Sequence, residues 1–264
     1  MNKLLINLVG MYSTLALCFS GCTSFNNSII PTSSIVLKEK LTASQYVASN
    51  GVNMGIRVYL PELTAPRQFP LILYLHGAGQ NGNDNERQLD DGVGCLYSFT
   101  ADREDYKAVI LAPQCPEGVY WRNPEMLEAL KSLIEDVTHN AYIDGNRVYV
   151  TGFSMGGDAT WKLGLAYPDL ITTIVPVCGG PLASMEPDIP VVPYLMIHLN
   201  IWAFNNFDDG VVRPNYSKRI FAKLWELDDG DHLNFTENVS GGHNGRDVYS
   251  NRDLLIWMLS TKKR

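Results

Sequence analysis

Basic charge and cysteine are both scarce in this chain. Across 264 residues, 21 lysines and arginines face 28 aspartates and glutamates, a net charge of −7. An acidic surface has no attraction for phosphate backbones or anionic headgroups, which argues against a nucleic-acid or anionic-membrane partner. The densest basic cluster, Lys262-Lys263-Arg264, reads as a solvated tail. Five cysteines are too few for a disulfide scaffold, and none has the CxxC or Cys/His spacing that holds a metal. Residues 45–264 contain no internal repeat, low-complexity stretch or linker, which excludes a solenoid and leaves one domain with a sizeable core.

The first residues have a different character. Lys3 precedes a nearly continuous apolar run from Leu4 to Phe19, followed by Ser20-Gly21-Cys22 and then a polar stretch. That order marks an export signal. Phe19-Ser20-Gly21-Cys22 resembles a bacterial lipobox, in which the cysteine is acylated and becomes the mature N-terminus. Residues 1–22 are therefore expected to be a lipoprotein signal peptide. Residues 23–44 are expected to be a polar tether, and residues 45–264 the folded domain of an exported envelope lipoprotein. With Cys18 removed and Cys22 acylated, Cys95, Cys115 and Cys178 remain, an odd number that allows at most one bridge.

Beyond the tether, strand and helix patterns alternate. Ile56–Leu60 alternates as in a hairpin strand, whereas Pro70–Leu75 and Ala108–Ala112 are continuous apolar runs of strands buried on both faces. Helical spacing over Pro124–His139 precedes a strand at Arg147–Thr151 and a helix over Met155–Tyr167. Strands at Ile171–Cys178, Asn200–Phe204 and Leu233–Val239, with helices at Tyr216–Leu227 and Arg252–Ser260, continue the alternation. Such alternation predicts an α/β fold, a doubly wound and mostly parallel sheet with helices on both faces. Its site should lie at the C-terminal ends of the strands.

At one such end stands Gly152-Phe153-Ser154-Met155-Gly156. A serine in a sharp strand-to-helix turn is thrust outward, and small residues at plus and minus two let the turn close. To become a nucleophile it needs a base, and the base needs a carboxylate to hold its tautomer. Of five histidines, His139 ends a helix, His198 and His232 precede or start strands, and His76 follows the strand at 71–75. His243, in the glycine loop Gly241-Gly242-His243-Asn244-Gly245 after the last strand, is the one placed as a mobile base. The carboxylate should come from the loop after Ile201–Phe204, where Asp208 and Asp209 are adjacent. Asp209 is favoured by spacing, with Asp208 the alternative. Ser154, Asp209 and His243 follow the chain order Ser, Asp, His.

These blocks resemble the α/β-hydrolase superfamily, near the dienelactone-hydrolase and phospholipase/carboxylesterase-like group. That group includes secreted "predicted peptidases", feruloyl esterases and polyhydroxybutyrate-depolymerase-like esterases. The similarity runs over residues 45–260 through Pro70–Gly79, Asn83–Glu86, Ala112–Gly118 with Trp121, Gly152–Trp161, Trp202–Pro214 and Gly242-His243 with Trp257. It implies an α/β-hydrolase fold and a serine carboxylesterase acting on short-chain or aromatic, feruloyl-type esters, small or polymer-borne. It also implies an oxyanion hole made by the backbone N–H groups of Ala78 and Met155, and no cofactor or metal. Trp121 is a possible substrate contact, or a core tryptophan. A serine peptidase, or a non-catalytic polymer-binding lipoprotein, is the alternative, and a membrane enters only through the lipid on Cys22. Two departures stand out. Asn205-Asn206 replaces the group's usual His-Gly, and one residue is inserted around Gly210–Arg213. The segment 187–199 reads as a surface loop or a small cap.

Overall fold

The computed structural model describes residues 28–62, 67–180 and 196–264. The first helix α1 (Ser34–Lys40) leads into strands β1 (Thr42–Val47), β2 (Asn53–Tyr59) and β3 (Phe69–Leu75). Then come α2 (Val93–Ala101), β4 (Val109–Pro113), α3 (Pro124–Thr138), β5 (Ile143–Phe153) and α4 (Met155–Ala166). The chain continues through β6 (Thr173–Val177), β7 (Asn200–Asn206), α5 (Asn215–Leu227), β8 (Leu233–Asn238), α6 (Arg246–Tyr249) and α7 (Arg252–Ser260).

The eight strands form one sheet in the order β1-β2-β4-β3-β5-β6-β7-β8. Pairing is antiparallel for β1 with β2 and β2 with β4, and parallel from β4 to β8. The apolar run Phe69–Leu75 is buried at every position because β3 lies mid-sheet with a helical layer on each side. Leu71, Leu73 and Leu75 pack on one side with Leu130 and Leu133 of α3, Trp161 of α4 and Phe221 of α5. Ile72 and Tyr74 pack on the other with Leu37 of α1, Phe99 of α2 and Leu254 and Met258 of α7. Alternate residues of one strand thus feed two cores.

The expected tether over residues 23–44 is corrected from Ser28 onward, and the expected domain start at 45 moves with it. Ser28 bridges Asn251, the Ile29 N–H donates to the Ser250 carbonyl at 2.9 Å, and the Thr32 N–H donates to that of Gly94 at 3.2 Å. Leu37 and Leu41 are fully buried. Arg57, itself buried, donates from Nε to the Asn85 carbonyl at 2.7 Å and from one terminal nitrogen to the carbonyls of Lys38 and Leu41, each at 3.1 Å. A buried guanidinium with three of its five donors engaged by carbonyls is tolerable, and here it closes the end of α1. A seven-residue helix that buries one leucine, with a second buried at its C-cap, shows no sustained period, which is why the segment reads as polar chain. The expected signal peptide, residues 1–22, and most of the segment 187–199 lie outside the described residues.

Docking of α1 has a measurable consequence. Leu37→Ala should lower the unfolding free energy by about 2–5 kcal/mol, the usual cost of emptying a buried leucine site. Chemical denaturation followed by tryptophan fluorescence reads this directly, and an unchanged midpoint would mean that the segment is only a tether.

Candidate active site

Parallel register brings the site together. Leu75 at the end of β3 is paired with Gly152 near the end of β5, so the turns that follow both strands lie side by side. After β5 the chain reverses into α4 through Ser154, whose φ of 56° and ψ of −114° place it outside the ordinary regions. Such a conformation costs on the order of 1–3 kcal/mol and must be held by its surroundings. The Ser154 N–H donates to the Val177 carbonyl of β6 at 2.9 Å, and the Ser154 carbonyl accepts from Asp158 N–H at 2.9 Å. The flanking glycines are required by contact. A Cβ on Gly156 would sit 1.9 Å from the Leu75 carbonyl oxygen, and one on Gly152 would sit 2.6 Å from it.

Two loops from β7 and β8 complete the arrangement. His243 Nε2 lies 2.7 Å from Ser154 Oγ, and its Nδ1 lies 2.8 Å from Asp209 Oδ2. Asp209 is buried, and its other oxygen accepts the N–H groups of Val211 and Val212 at 2.8 and 2.9 Å. The loop with the extra residue therefore folds over that carboxylate. Bonded this way, the carboxylate accepts a hydrogen bond from Nδ1–H of the neutral ring and leaves the Nε2 lone pair facing the serine hydroxyl. Asp208 does not touch His243. It is exposed and accepts the N–H groups of Gly241 and Gly242 at 3.2 and 2.7 Å. The Phe153 ring packs 5.0 Å from the His243 ring. His139, His198 and His232 stand at the N-terminal edge of the parallel strands, the far end from Ser154.

Met155 opens α4, so its N–H has no intrahelical acceptor, and Ala78 opens a short 3-10 turn, Ala78–Gln80, just past β3. Both backbone groups flank the serine turn because of the Leu75–Gly152 register. Below Ala78, His76 is fully buried. Its Nε2 accepts the Cys115 N–H at 2.9 Å, so the proton resides on Nδ1, which donates to the Gly77 carbonyl at 2.6 Å. Gln114 extends this brace, with Nε2 donating to the Gln80 carbonyl at 3.1 Å and to Asp84 Oδ1 at 2.8 Å.

The proposed substrate contact at Trp121 is corrected. Its ring is fully buried, its Nε1–H donates to the His76 carbonyl at 3.1 Å, and it packs 5.1 Å from the His76 ring. An aromatic with a buried N–H must find an acceptor, and this one finds it in the support of the turn, not in the cleft. Cys95, Cys115 and Cys178 are buried and unpaired. Burial pushes the thiols of Cys115 and Cys178 up to about 12, so neither offers a thiolate. Among the described residues no group of three His, Cys, Asp or Glu side chains could hold a metal ion.

No family model matches this chain. A poly(3-hydroxybutyrate) depolymerase of Ralstonia pickettii is 30% identical over 203 residues, which cover 68% of this chain and 40% of that protein. A probable feruloyl esterase C of Aspergillus terreus is 26% identical over 171 residues, 62% of each chain. This chain spans only 35–40% of the length of the first curated relatives it matches, the two polyester depolymerases. Among solved structures, a thermostable esterase superposes with a TM-score of 0.74 at 27% identity, over 86% of this chain and 64% of its own. The feruloyl esterase module from Clostridium thermocellum gives 0.62 at 14% identity, over 89% and 95%, a likeness of fold alone.

Burial of His76 makes the fold acid-sensitive. Desolvation outweighs the hydrogen bond to Gly77 and lowers its pKa from 6.5 to about 4. Between those values the unfolded chain binds a proton that the folded one refuses. The stability due to a neutral His76 is complete above about pH 6.5 and is lost as pH falls toward 4, in all about 3 kcal/mol. Urea unfolding at pH 7, 5.5 and 4 should show that loss in the parent protein and much less of it in His76→Gln. Equal slopes in the two proteins would overturn the assignment.

Proposed function

Because this chain has the α/β-hydrolase fold and is related to esterases and polyester depolymerases, we propose that it is a serine carboxylesterase. The observation that carries the reading is the continuous relay from Asp209 through His243 to Ser154, with contacts of 2.8 and 2.7 Å. In the proposed reaction, Ser154 Oγ attacks the ester carbonyl carbon while His243 Nε2 takes the hydroxyl proton. The carbonyl oxygen becomes an oxyanion that accepts from the N–H groups of Ala78 and Met155. Collapse of this tetrahedral species breaks the bond to the alcohol, which leaves with the proton returned by His243. Water then attacks the acyl-Ser154 ester and gives a proton to His243, and collapse releases the acid as His243 returns that proton to Ser154 Oγ. Asp209 keeps its charge throughout and stabilises the imidazolium formed in each half-reaction.

Short-chain or aromatic, feruloyl-type esters are the proposed substrates. Support comes from relatives named feruloyl esterase and poly(3-hydroxybutyrate) depolymerase, whose names describe those proteins. Ser154→Ala should reduce turnover of p-nitrophenyl acetate by at least about 10³-fold with the fold retained. Asp209→Asn, which presents the wrong tautomer, should lower kcat by about 10⁴-fold. Undiminished hydrolysis in Ser154→Ala, or cleavage of peptide substrates in place of esters, would reject the proposal.

Export and acylation at Cys22 belong to the same reading. Among the described residues no helix is long and apolar enough to cross a membrane. Expressed in a bacterial host with its full leader, the protein should incorporate labelled palmitate, and Cys22→Ser should not. Equal labelling of the two would place the lipid elsewhere.

A further inference from the structure

The loop that carries His243 is poorly suited to hold a base still. Gly241 and Gly242 precede it with φ values of 149° and 58°, and such residues give the backbone wide conformational freedom. Yet His243 must be placed to a fraction of an ångström against two partners. The restraint comes from β7 and the loop after it, one residue of which was visible in the sequence only as a departure from the related group.

Asn206, buried at the end of β7, points its side chain at that loop. Its Nδ2 donates to the carbonyls of Gly242 at 2.8 Å and Asn244 at 3.1 Å, the residues on either side of His243. Its Oδ1 accepts from Asn238 Nδ2 of β8 at 2.9 Å. Two carbonyls at one end and an amide donor at the other fix which end of the Asn206 amide is nitrogen. Two residues further on, Asp208 accepts the N–H groups of Gly241 and Gly242. The loop leaves no room for a side chain at residue 241, where a Cβ would lie 2.8 Å from Asn206 Nδ2. Cys178 adds a weak thiol contact to the Asn244 carbonyl at 3.4 Å.

We propose that Asn206, aided by Asp208, is a positioning residue for catalysis, clamping the carbonyls on both sides of His243 so that its ring spans Ser154 and Asp209. This rests on the esterase reading. One short stretch of chain thereby supplies both the triad carboxylate and the clamp on the base, so acid and base move as one unit. An asparagine is suited to the task. A carboxylate would repel the two carbonyls, and an apolar residue of the same size would remove the amide donor from both of these partly buried groups.

Asn206→Asp and Asn206→Leu preserve size and remove the donor. Each should lower kcat for p-nitrophenyl acetate by about 10- to 100-fold, the scale of a misplaced catalytic group, with KM changed by less than about twofold. Fluorophosphonate labelling of Ser154 should slow in parallel. The low-field proton resonance of the His243 Nδ1–H facing Asp209 should broaden or vanish well below the unfolding temperature. A purely packing role would lower the melting temperature but leave kcat, labelling and that resonance as in the parent, and this result would overturn the proposal. Should both variants fail to fold, exposed Asp208→Ala carries the test. It should cost several-fold in kcat and broaden the resonance, and parent-like behaviour there would overturn the clamp. A parent protein that neither hydrolyses esters nor labels would end the esterase reading, while the resonance would still report on the clamp.

Discussion

The first turn of α4 lies against the end of β3 with no space for a side chain between them, and the site depends on that contact. At Gly156 even a methyl group would collide with the Leu75 carbonyl oxygen. Closure to this distance brings the N-terminus of α4 beside the turn at Ala78 and forces Ser154 into a backbone conformation that non-glycine residues rarely adopt. The strain at Ser154 therefore follows from a packing requirement. Hydrogen bonds from neighbouring strands and the rigidity of a sheet buried on both faces hold it in place. A glycine at 154 would relieve the strain and lose the hydroxyl. In the proposed reaction Ser154 is the nucleophile, and at that position chemistry would override local backbone preference.

Support for the two sides of the site comes from different layers. On the oxyanion side the brace is buried and largely backbone-directed, through His76, Gln114 and Trp121. On the base side it is a set of side chains from β7 and the following loop gripping a glycine loop. The difference fits the demands on each. An oxyanion hole needs fixed dipoles that do not reorganise as charge develops. In the proposed reaction His243 would shuttle protons between serine, leaving alcohol and water, a task that needs a defined but accessible ring.

Much of this was legible in the sequence because burial leaves a period. Continuous apolar runs located β3 and β4, helical spacing located α3, and the order Ser154, Asp209, His243 reflected strand order in a parallel sheet. The carboxylate that bonds His243 was legible only to within one residue, since adjacent aspartates differ in direction, and direction is set by how Val211 and Val212 fold over the carboxylate. Asn206 was visible only as an oddity, because its hydrogen bonds go to carbonyls of a loop 36 and 38 residues away. Residues 28–44 were misread for a related reason. Leu37 and Leu41 supply the burial, and the cation that closes the helix, Arg57, lies on another strand. Trp121 was open to two readings in sequence, since a tryptophan after a strand end can face cleft or core, and only the His76 carbonyl decides between them.

Two histidines at the same end of the sheet show how environment divides labour. His76 has both ring nitrogens engaged by backbone groups and no exposure to solvent, so protonation would strand a charge where water cannot reach it. That is why burial holds its pKa at about 4 and keeps the ring neutral through the working range. His243 has one nitrogen on a buried carboxylate and the other on a hydroxyl, with a side chain 19% exposed. In the proposed reaction, an imidazolium formed there would be stabilised by Asp209 and would exchange its proton with a leaving group or with water. Exchanging the two roles would require exchanging the loops, because the ring chemistry is identical and only the partners differ. The same logic disfavours His76 as an alternative base. With its acceptor nitrogen already taken by Cys115 N–H, no lone pair is left to receive a proton from Ser154.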